Sequence, residues 1–498
     1  MGHGPMRLQI QHHTDIPLYR QITEQIRALI QSGALPSGDR LPTVRQLADD
    51  LGLTRLTVHS AYAELQTQGL IESFVGRGTF VAAHSPIASP GQLRTLPQPP
   101  VPWHTQGLLA EIVGVTGPQL LTFAQAHPAS ETFPTRELGK ALRAALDDPD
   151  ALNYGVIQGA AALREQVSRL LLDRGITTSP DYVLITNGAQ QAISLTLGAF
   201  TAPGDVILVE EPTYPGVLEL AALHGQRVVS ISMDSGGISL SALEAACIAY
   251  RPRLLYLVPT YHNPTGNVLS PERHTALLNI ARAHHMLIIE DDVYGFLSLD
   301  GPASPALKAA DDEGLVIYST SFSKIFIPGL RLGAIVAAPA YLPKLAACKQ
   351  STDLTCSPLL QQALAEYLRH GYLAAHLQQA RLLYRERRDA MLAALERSLP
   401  MCGWTHPAGG LNIWVTLPEQ ISEYDFVREA TERGIGVAPG RLFFPHPRRE
   451  AFMRLSYGAQ PPERIEEGIA RLGQILQAYL RQHHEAIARA GRETGPIV

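Results

Sequence analysis

The residues of this chain best suited to chemistry gather around one lysine. In the segment TSFSKIFIPGLRLG, Lys324 follows a serine-rich strand end, with Ser321 before it and Arg331 after it. A lysine amine held in a protein site attacks a carbonyl carbon and forms an imine. Ser321 and Arg331 carry the hydroxyl and the forked guanidinium that bind a phosphate. Read alone, Lys324 would be an ordinary surface lysine; four other segments change that reading.

TNGAQQAI follows the apolar run VLIT and opens a helix, so Gly188, Ala189 and Gln190 present backbone N–H groups at a helix N-terminus, a natural phosphate cradle. EDDVY closes the run MLIIED. There Asp291 can hold the nitrogen of a pyridine ring protonated, which makes the ring an electron sink, and Tyr294 can reach a phenolic oxygen on the same ring. By itself Asp291 reads equally as a cap on the next segment. HNPTG places Asn263 in a turn after LLYLVP, able to donate to that oxygen. Tyr214 in EEPTYPG can stack on a ring face or simply fill the core.

These residues need a scaffold that brings strand ends together. VLIT, VILV, LLYLVP, MLIIED and LVIYST are short, nearly continuous apolar runs separated by helical stretches. Such runs predict a mainly parallel sheet covered by helices on both faces. Ligands of such sheets sit at the carboxyl ends of the strands, where the informative residues cluster.

The first part of the chain follows another pattern. Leu18, Ile22, Ile26, Leu29 and Ile30 recur at helical spacing and end at Gly33. LPTVRQLADDLGL is a short helix stopped by Gly52. TRLTVHSAYAELQTQGL begins at a Thr cap, buries Val58, Tyr62 and Leu65, and stops at Gly69. LIESF and TFVA flank Val75-Gly76-Arg77-Gly78, which suits a hairpin tip. Helix, helix-turn-helix and β-wing form a DNA reader whose third helix enters the major groove. Thr54, Arg55, Thr57 and His59 on that helix come within reach of base edges and phosphates. Arg45 can hold a phosphate, and Arg77 and Gly78 form the wing that approaches a minor groove. Residues 1–82 carry seven arginines, no lysine and seven acidic residues, so tight binding requires two copies on one site. A three-helix protein-interaction module is the alternative. Between the two parts, SPIASPGQLRTLPQPPVPW holds six prolines. That density forbids a helix and predicts a semi-rigid tether over 83–106, or else an irregular arm on the larger domain.

LPTVRQLADDLGLTRLTVHSAYAELQTQGLIESFVGRGTFV resembles the N-terminal domain of GntR-family bacterial regulators, over nearly all of residues 16–82. NGAQQ, EPTYPG, YHNPTG, IIEDDVYG, TSFSK and PGLRLG occur in the order of fold-type I pyridoxal 5'-phosphate (PLP) aminotransferases, a resemblance over roughly residues 115–480. It implies that Lys324 binds PLP as an aldimine, Asp291 contacts the pyridine nitrogen, and Asn263 and Tyr294 contact the ring oxygen. It further implies that Tyr214 stacks on the ring and that Ala189, Gln190, Ser321 and Arg331 hold the phosphate. Arg454 in MRLSYG stands where the family keeps the arginine for the substrate α-carboxylate. Tyr154 in NYGVIQG matches a residue donated across a dimer interface to the partner's cofactor. The fusion resembles the MocR subgroup, in which the large domain senses PLP, or PLP with an amino compound, and relays the signal to DNA.

The implied architecture is α/β: a winged helix-turn-helix over 1–82, the Pro-rich linker, and a fold-type I aminotransferase-like domain over 107–498 with a smaller α+β subdomain. The implied partners are a double-stranded DNA operator, an amino acid or amine as effector or substrate, and a second copy in a homodimer. HNPTGNVLSPERHTALL and EDDVYGFL resemble the catalytic 2-aminoadipate/kynurenine-type branch and depart from the EDDYD-type strand end of many MocR members. A working transaminase acting on an L-amino acid, with the DNA reader secondary, is therefore the rival reading.

Bulk properties set outer limits. The 498 residues suggest about three folding units. A net charge of −5 advertises no nucleic acid, so a DNA role must rest on local features. Four cysteines without a CxxC pair and an N-terminus without an apolar leader point to the cytoplasm. No apolar run is long enough to span a bilayer, so no membrane partner is expected. His3, His12 and His13 form no ligand pattern, so no metal is expected.

Overall fold

The apolar runs of the larger part become the central strands of a nine-stranded sheet. The computed structural model describes residues 18–31, 35, 38–67, 70–74, 78–81, 101–102, 108–114 and 120–493. Residues 1–93 and 94–498 form two units rather than three.

In the second unit, eight strands lie in the order Val101–Pro102, Arg227–Asp234, Val206–Glu211, Leu254–Leu257, Leu287–Asp291, Val316–Ser321, Gly333–Val336, Val183–Thr186; Gly237–Ile238 pairs with Arg227–Asp234. The strands from Arg227–Asp234 through Val316–Ser321 are parallel, and Gly333–Val336 is antiparallel to both its neighbours. The five runs read from the sequence therefore point the same way, and their carboxyl ends share one rim. Val183–Thr186, Leu254–Leu257 and Val316–Ser321 are buried along their whole length. Helices explain that burial. Leu184, Ile317 and Ile335 cluster with Ala192 and Leu195 of helix Ala189–Phe200. Leu208, Leu255 and Ile288 cluster with Leu243 and Leu277 from two further helices.

A smaller antiparallel sheet, Gly403–Trp404, Asn412–Thr416, Phe452–Ser456 and Ala438–Pro439, carries Arg454 on a central strand. Helices Tyr372–Ser398 and Pro462–Glu493 lie against each other beside it. One expectation needs correction here. The far end of the Pro-rich stretch is not free: Val101–Pro102 pairs with Arg227 and Val228 as an edge strand, a position that tolerates proline's missing N–H. The last helix runs from Pro462 to Glu493, where EAIARA offers good helix formers before Gly491.

The first unit has helices Leu18–Gln31, Val44–Leu51 and Arg55–Thr67 and a hairpin of Ile71–Phe74 with Gly78–Val81. Thr43 and Gln46 form a reciprocal capping box on the second helix, and Gly52 ends it at φ 66°. Ile22, Ile26, Leu47, Val58, Tyr62 and Leu65 are buried together, so the three helical faces read from the sequence share one core. Among the described residues all four cysteines are free, and no helix is long and apolar enough to cross a membrane.

Candidate active site

Ala189, Gln190, Tyr214, Asn263, Asp291, Tyr294, Ser321, Lys324, Arg331 and Arg454 line one cavity of about 220 Å³. The parallel strands deliver most of them to the common rim, and the smaller sheet supplies Arg454.

Lys324 lies in the one-turn helix Phe322–Ile325 that follows strand Val316–Ser321. Its Nζ donates to the Ala126 carbonyl at 2.8 Å. Burial lowers its pKa to about 8, helped by the positive charges of Arg454 and Arg331 and opposed by Asp291. More of this amine is thus neutral, hence nucleophilic, at neutral pH than of an exposed lysine.

One end of the cavity is built for an anion. Gly188, at φ 79°, caps helix Ala189–Phe200, and a Cβ there would lie 3.0 Å from Arg331 Nη2. Glycine lets the guanidinium approach bare backbone. Arg331 Nη1 donates to Ser323 Oγ at 3.0 Å, and the Ser323 N–H donates to Ser321 Oγ at 3.1 Å. Hydroxyls, guanidinium and the first amides of the helix therefore face one space. Behind this turn, Asp353 Oδ2 accepts from Asn187 Nδ2 at 2.5 Å and Gln191 Nε2 at 2.8 Å. Both Asp353 oxygens also accept from the buried Lys349, each at 2.8 Å.

The other end carries the carboxylate and phenols. Burial raises the Asp291 pKa to about 7, with Asp292 adding to the rise and Tyr256 and Lys324 opposing it. Tyr256 donates to Asp291 Oδ2 at 2.8 Å, while Oδ1 is buried with no partner among the described residues. Asn412 Nδ2 donates to the Tyr294 hydroxyl at 3.4 Å, and Tyr214 donates to Gln190 Oε1 at 3.2 Å. The buried Arg454 donates to Asn263 Oδ1 at 3.0 Å and to the Ala124 carbonyl, with its guanidinium 5.1 Å from the Phe443 ring centre.

Tyr154 stands apart, 90% exposed, beside a separate surface cleft with Asn153 and Val156. Within one chain it does not reach the cavity. Sequence reasoning missed Tyr256, Ser323, Ile112 and His127, which also line it. Ser323 had a signal, its place between Ser321 and Lys324. Tyr256, inside an apolar run, had none.

In the first unit, Arg45, Thr54, Arg55 and His59 are exposed and Thr57 is half-buried. Thr54 Oγ1 accepts from the Thr57 N–H at 3.3 Å and lies 2.9 Å from Thr57 Oγ1, so it caps the third helix as well as facing outward. Arg45 pairs only loosely with Asp49, at 4.0 Å. Arg77 lies outside the described residues. Gly78 has φ 112°, and a Cβ there would meet Arg40 Nε at 2.9 Å. Arg40, unremarked in the sequence, thus lies across the wing beside its bridge partner Phe80. Among the described residues no cluster of His, Cys, Asp and Glu could hold a metal.

The family described as aminotransferase class I and II matches residues 121–472, and the gntR family of bacterial regulatory proteins matches residues 18–81. The chain belongs to the class I and II aminotransferases, the class its fold and lysine-centred cavity define. With a GntR-type domain at its N-terminus, it shares the two-domain arrangement of the MocR-type regulators.

The uncharacterized HTH-type transcriptional regulator YisV of Bacillus subtilis (strain 168) is 32% identical over 468 residues, covering 92% of this chain and 95% of the relative. The probable rhizopine catabolism regulatory protein MocR of Rhizobium meliloti is 29% identical over 474 residues, 93% and 95% of the two chains. Among solved structures, the alpha-aminoadipate aminotransferase LysN of Thermus thermophilus, complexed with N-(5'-phosphopyridoxyl)-L-leucine, superposes with a TM-score of 0.71. It is 35% identical, over 76% of this chain and 96% of that one.

Proposed function

We propose that this protein is a PLP-dependent, DNA-binding transcriptional regulator whose aminotransferase-like domain holds PLP at Lys324 and senses PLP or an amino compound. The observation that carries the reading is the union, in one chain, of the Lys324 cavity with a helix-turn-helix whose third helix exposes Arg55 and His59.

The cavity residues fit the cofactor. Asp291 Oδ1, without a partner among the described residues, needs a donor, and a protonated pyridine nitrogen is one. Gly188, Ala189, Gln190, Ser321, Ser323 and Arg331 offer a phosphate the donors it requires. Once bound, the cofactor supplies an electrophilic carbon and an electron-withdrawing ring. Lys324 would hold the cofactor through its amine, and the same amine, once a ligand amine has displaced it, would be available as a base at the ligand's Cα. Asn263 and Tyr294 would serve as donors to the ring oxygen, and Tyr214 would cover a ring face. Arg454 receives the ligand's carboxylate.

On this reading Arg45, Thr54, Arg55, Thr57, His59, Arg77 and Gly78 meet a double-stranded operator. Two chains form a cytoplasmic homodimer in which Tyr154 reaches the partner's cofactor. Only a ligand that binds one conformation better than another can alter operator affinity. The test is operator binding by fluorescence anisotropy with and without PLP and a panel of L-amino acids. A shift that vanishes in Lys324→Ala supports the reading; operator affinity indifferent to every addition overturns it.

A second reading, a working L-amino acid transaminase, is favoured by the complete set of Lys324, Asp291, Asn263, Tyr294 and Arg454 around one cavity. Keto-acid release with repeated turnover would establish it.

A further inference from the structure

We propose that Tyr256 is a positioning residue that fixes the aim and the charge of Asp291. The inference rests on the PLP reading above. Tyr256 sits on strand Leu254–Leu257, paired in register with Ile289, two residues before Asp291 on the parallel neighbour. It is fully buried and lines the cavity, and its hydroxyl donates to Asp291 Oδ2 at 2.8 Å. Burial keeps this phenol protonated far above neutral pH, so toward a carboxylate it acts only as a donor. The bond anchors one carboxylate oxygen of a residue that lines the cavity and leaves the other, Oδ1, buried with no partner among the described residues. A buried carboxylate held at one oxygen keeps one setting, and Oδ1 is the oxygen that would be left to receive the ring nitrogen of a cofactor.

The same bond acts on charge. Burial and the adjacent Asp292 drive Asp291 toward its neutral form, and the Tyr256 hydrogen bond works against them together with Lys324. The other titratable groups facing Asp291 are the Tyr214 and Tyr294 phenols, both held protonated by burial. Arg174 and Tyr318 engage Asp292 rather than Asp291. Among the described residues around Asp291, then, only Tyr256 both donates a hydrogen bond to it and stays neutral throughout. Without that donor Asp291 would ionise at higher pH and would less often carry the charge that holds a pyridinium.

Tyr256→Phe is a clean probe, because phenylalanine fills the same space and removes only the hydroxyl. The experiment uses the full chain freed of cofactor. Pyridoxamine 5'-phosphate serves as ligand, since it has the ring nitrogen and phosphate but no aldehyde for Lys324, and inorganic phosphate competes for the cradle alone. Tyr256→Phe should bind pyridoxamine 5'-phosphate about tenfold or more weakly near pH 7, with the deficit shrinking as pH rises further and Asp291 ionises without the donor. Phosphate affinity should match wild type. A Tyr256→Phe profile that superimposes on wild type, or a deficit equal at every pH, overturns the inference while leaving the cofactor reading intact. Wild-type protein that fails to bind pyridoxamine 5'-phosphate overturns both.

Discussion

Arg454 Nη1 donates to Asn263 Oδ1 at 3.0 Å, tying the central strand of the smaller sheet to the turn at a strand end of the larger one. The contact fixes the Asn263 amide: with Oδ1 occupied, its remaining group toward the cavity is the Nδ2 donor. It also leaves Arg454 incompletely satisfied, since Nε is buried without a partner among the described residues. A buried guanidinium with an idle donor at a cavity wall is set up for a carboxylate.

Arg454→Lys should therefore weaken L-amino acid binding by about 10- to 100-fold, the loss of charge-assisted bonds worth roughly 1.5–3 kcal/mol. Amines without a carboxylate should bind as before. Titrating the cofactor's visible absorbance with an amino acid and with its decarboxylated amine checks this. Equal losses for both would show that Arg454 supports the cavity without contacting the carboxylate.

The depressed pKa of Lys324 sets a second expectation. Attachment of PLP needs the neutral amine, so its rate should rise with pH up to about 8 and then level off. An unperturbed lysine would let it climb to about 10.5. Stopped-flow absorbance on the cofactor-free protein measures the profile, and Lys324→Ala should show no covalent adduct after borohydride reduction. Linkage gives the sign for stability. Between about 8 and 10.5 the unfolded chain holds a proton that the folded one has released, so the Lys324 contribution favours folding increasingly as pH rises through that window.

Much of this site was legible because its residues follow the ends of apolar runs. Val183–Thr186, Val206–Glu211, Leu254–Leu257, Leu287–Asp291 and Val316–Ser321 all coincide with runs visible by eye, and Lys324, Asp291 and Asn263 lie just past or at their ends. What escaped reading depends on neighbours distant in sequence. Pro328-Gly329 marks a turn before Gly333–Val336, but a turn alone does not announce that the strand after it runs antiparallel. Tyr256 looks like core until the register places it beside Asp291. Arg40 gains meaning only when the wing brings Gly78 against it.

Lys349 and Asp353 escaped for the same reason, and they give a third expectation. Asp353→Ala strands a buried ammonium and should cost about 3–5 kcal/mol in urea unfolding. It also frees Asn187 and Gln191, which flank the anion cradle, so phosphate affinity should fall. The pair Lys349→Met with Asp353→Leu should recover much of the stability but not the phosphate affinity. If both properties returned together, the network would be holding the fold alone and not the cradle.

The wing offers a fourth expectation, separable from the cofactor. Gly78 combines a left-handed φ of 112° with a guanidinium 2.9 Å from where a Cβ would stand. Gly78→Ala must therefore strain the backbone and displace Arg40, at about 1–3 kcal/mol for the local conformation. Arg55→Ala instead deletes an exposed cation on a helix that keeps its Thr54 cap, so the fold should be untouched. On the DNA-reader reading, Arg55→Ala should weaken operator binding by roughly 1–3 kcal/mol and lower the steepness of its salt dependence by about one charge. Gly78→Ala should weaken binding through the wing and also lower the thermal midpoint of the first unit. Neither substitution should change the cofactor's absorbance, because neither residue belongs to the unit that holds the cavity. Anisotropy titrations across a salt series, with the PLP spectrum recorded on the same samples, separate these effects. Arg55→Ala binding operator as tightly as wild type at every salt concentration would remove the third helix from the interface.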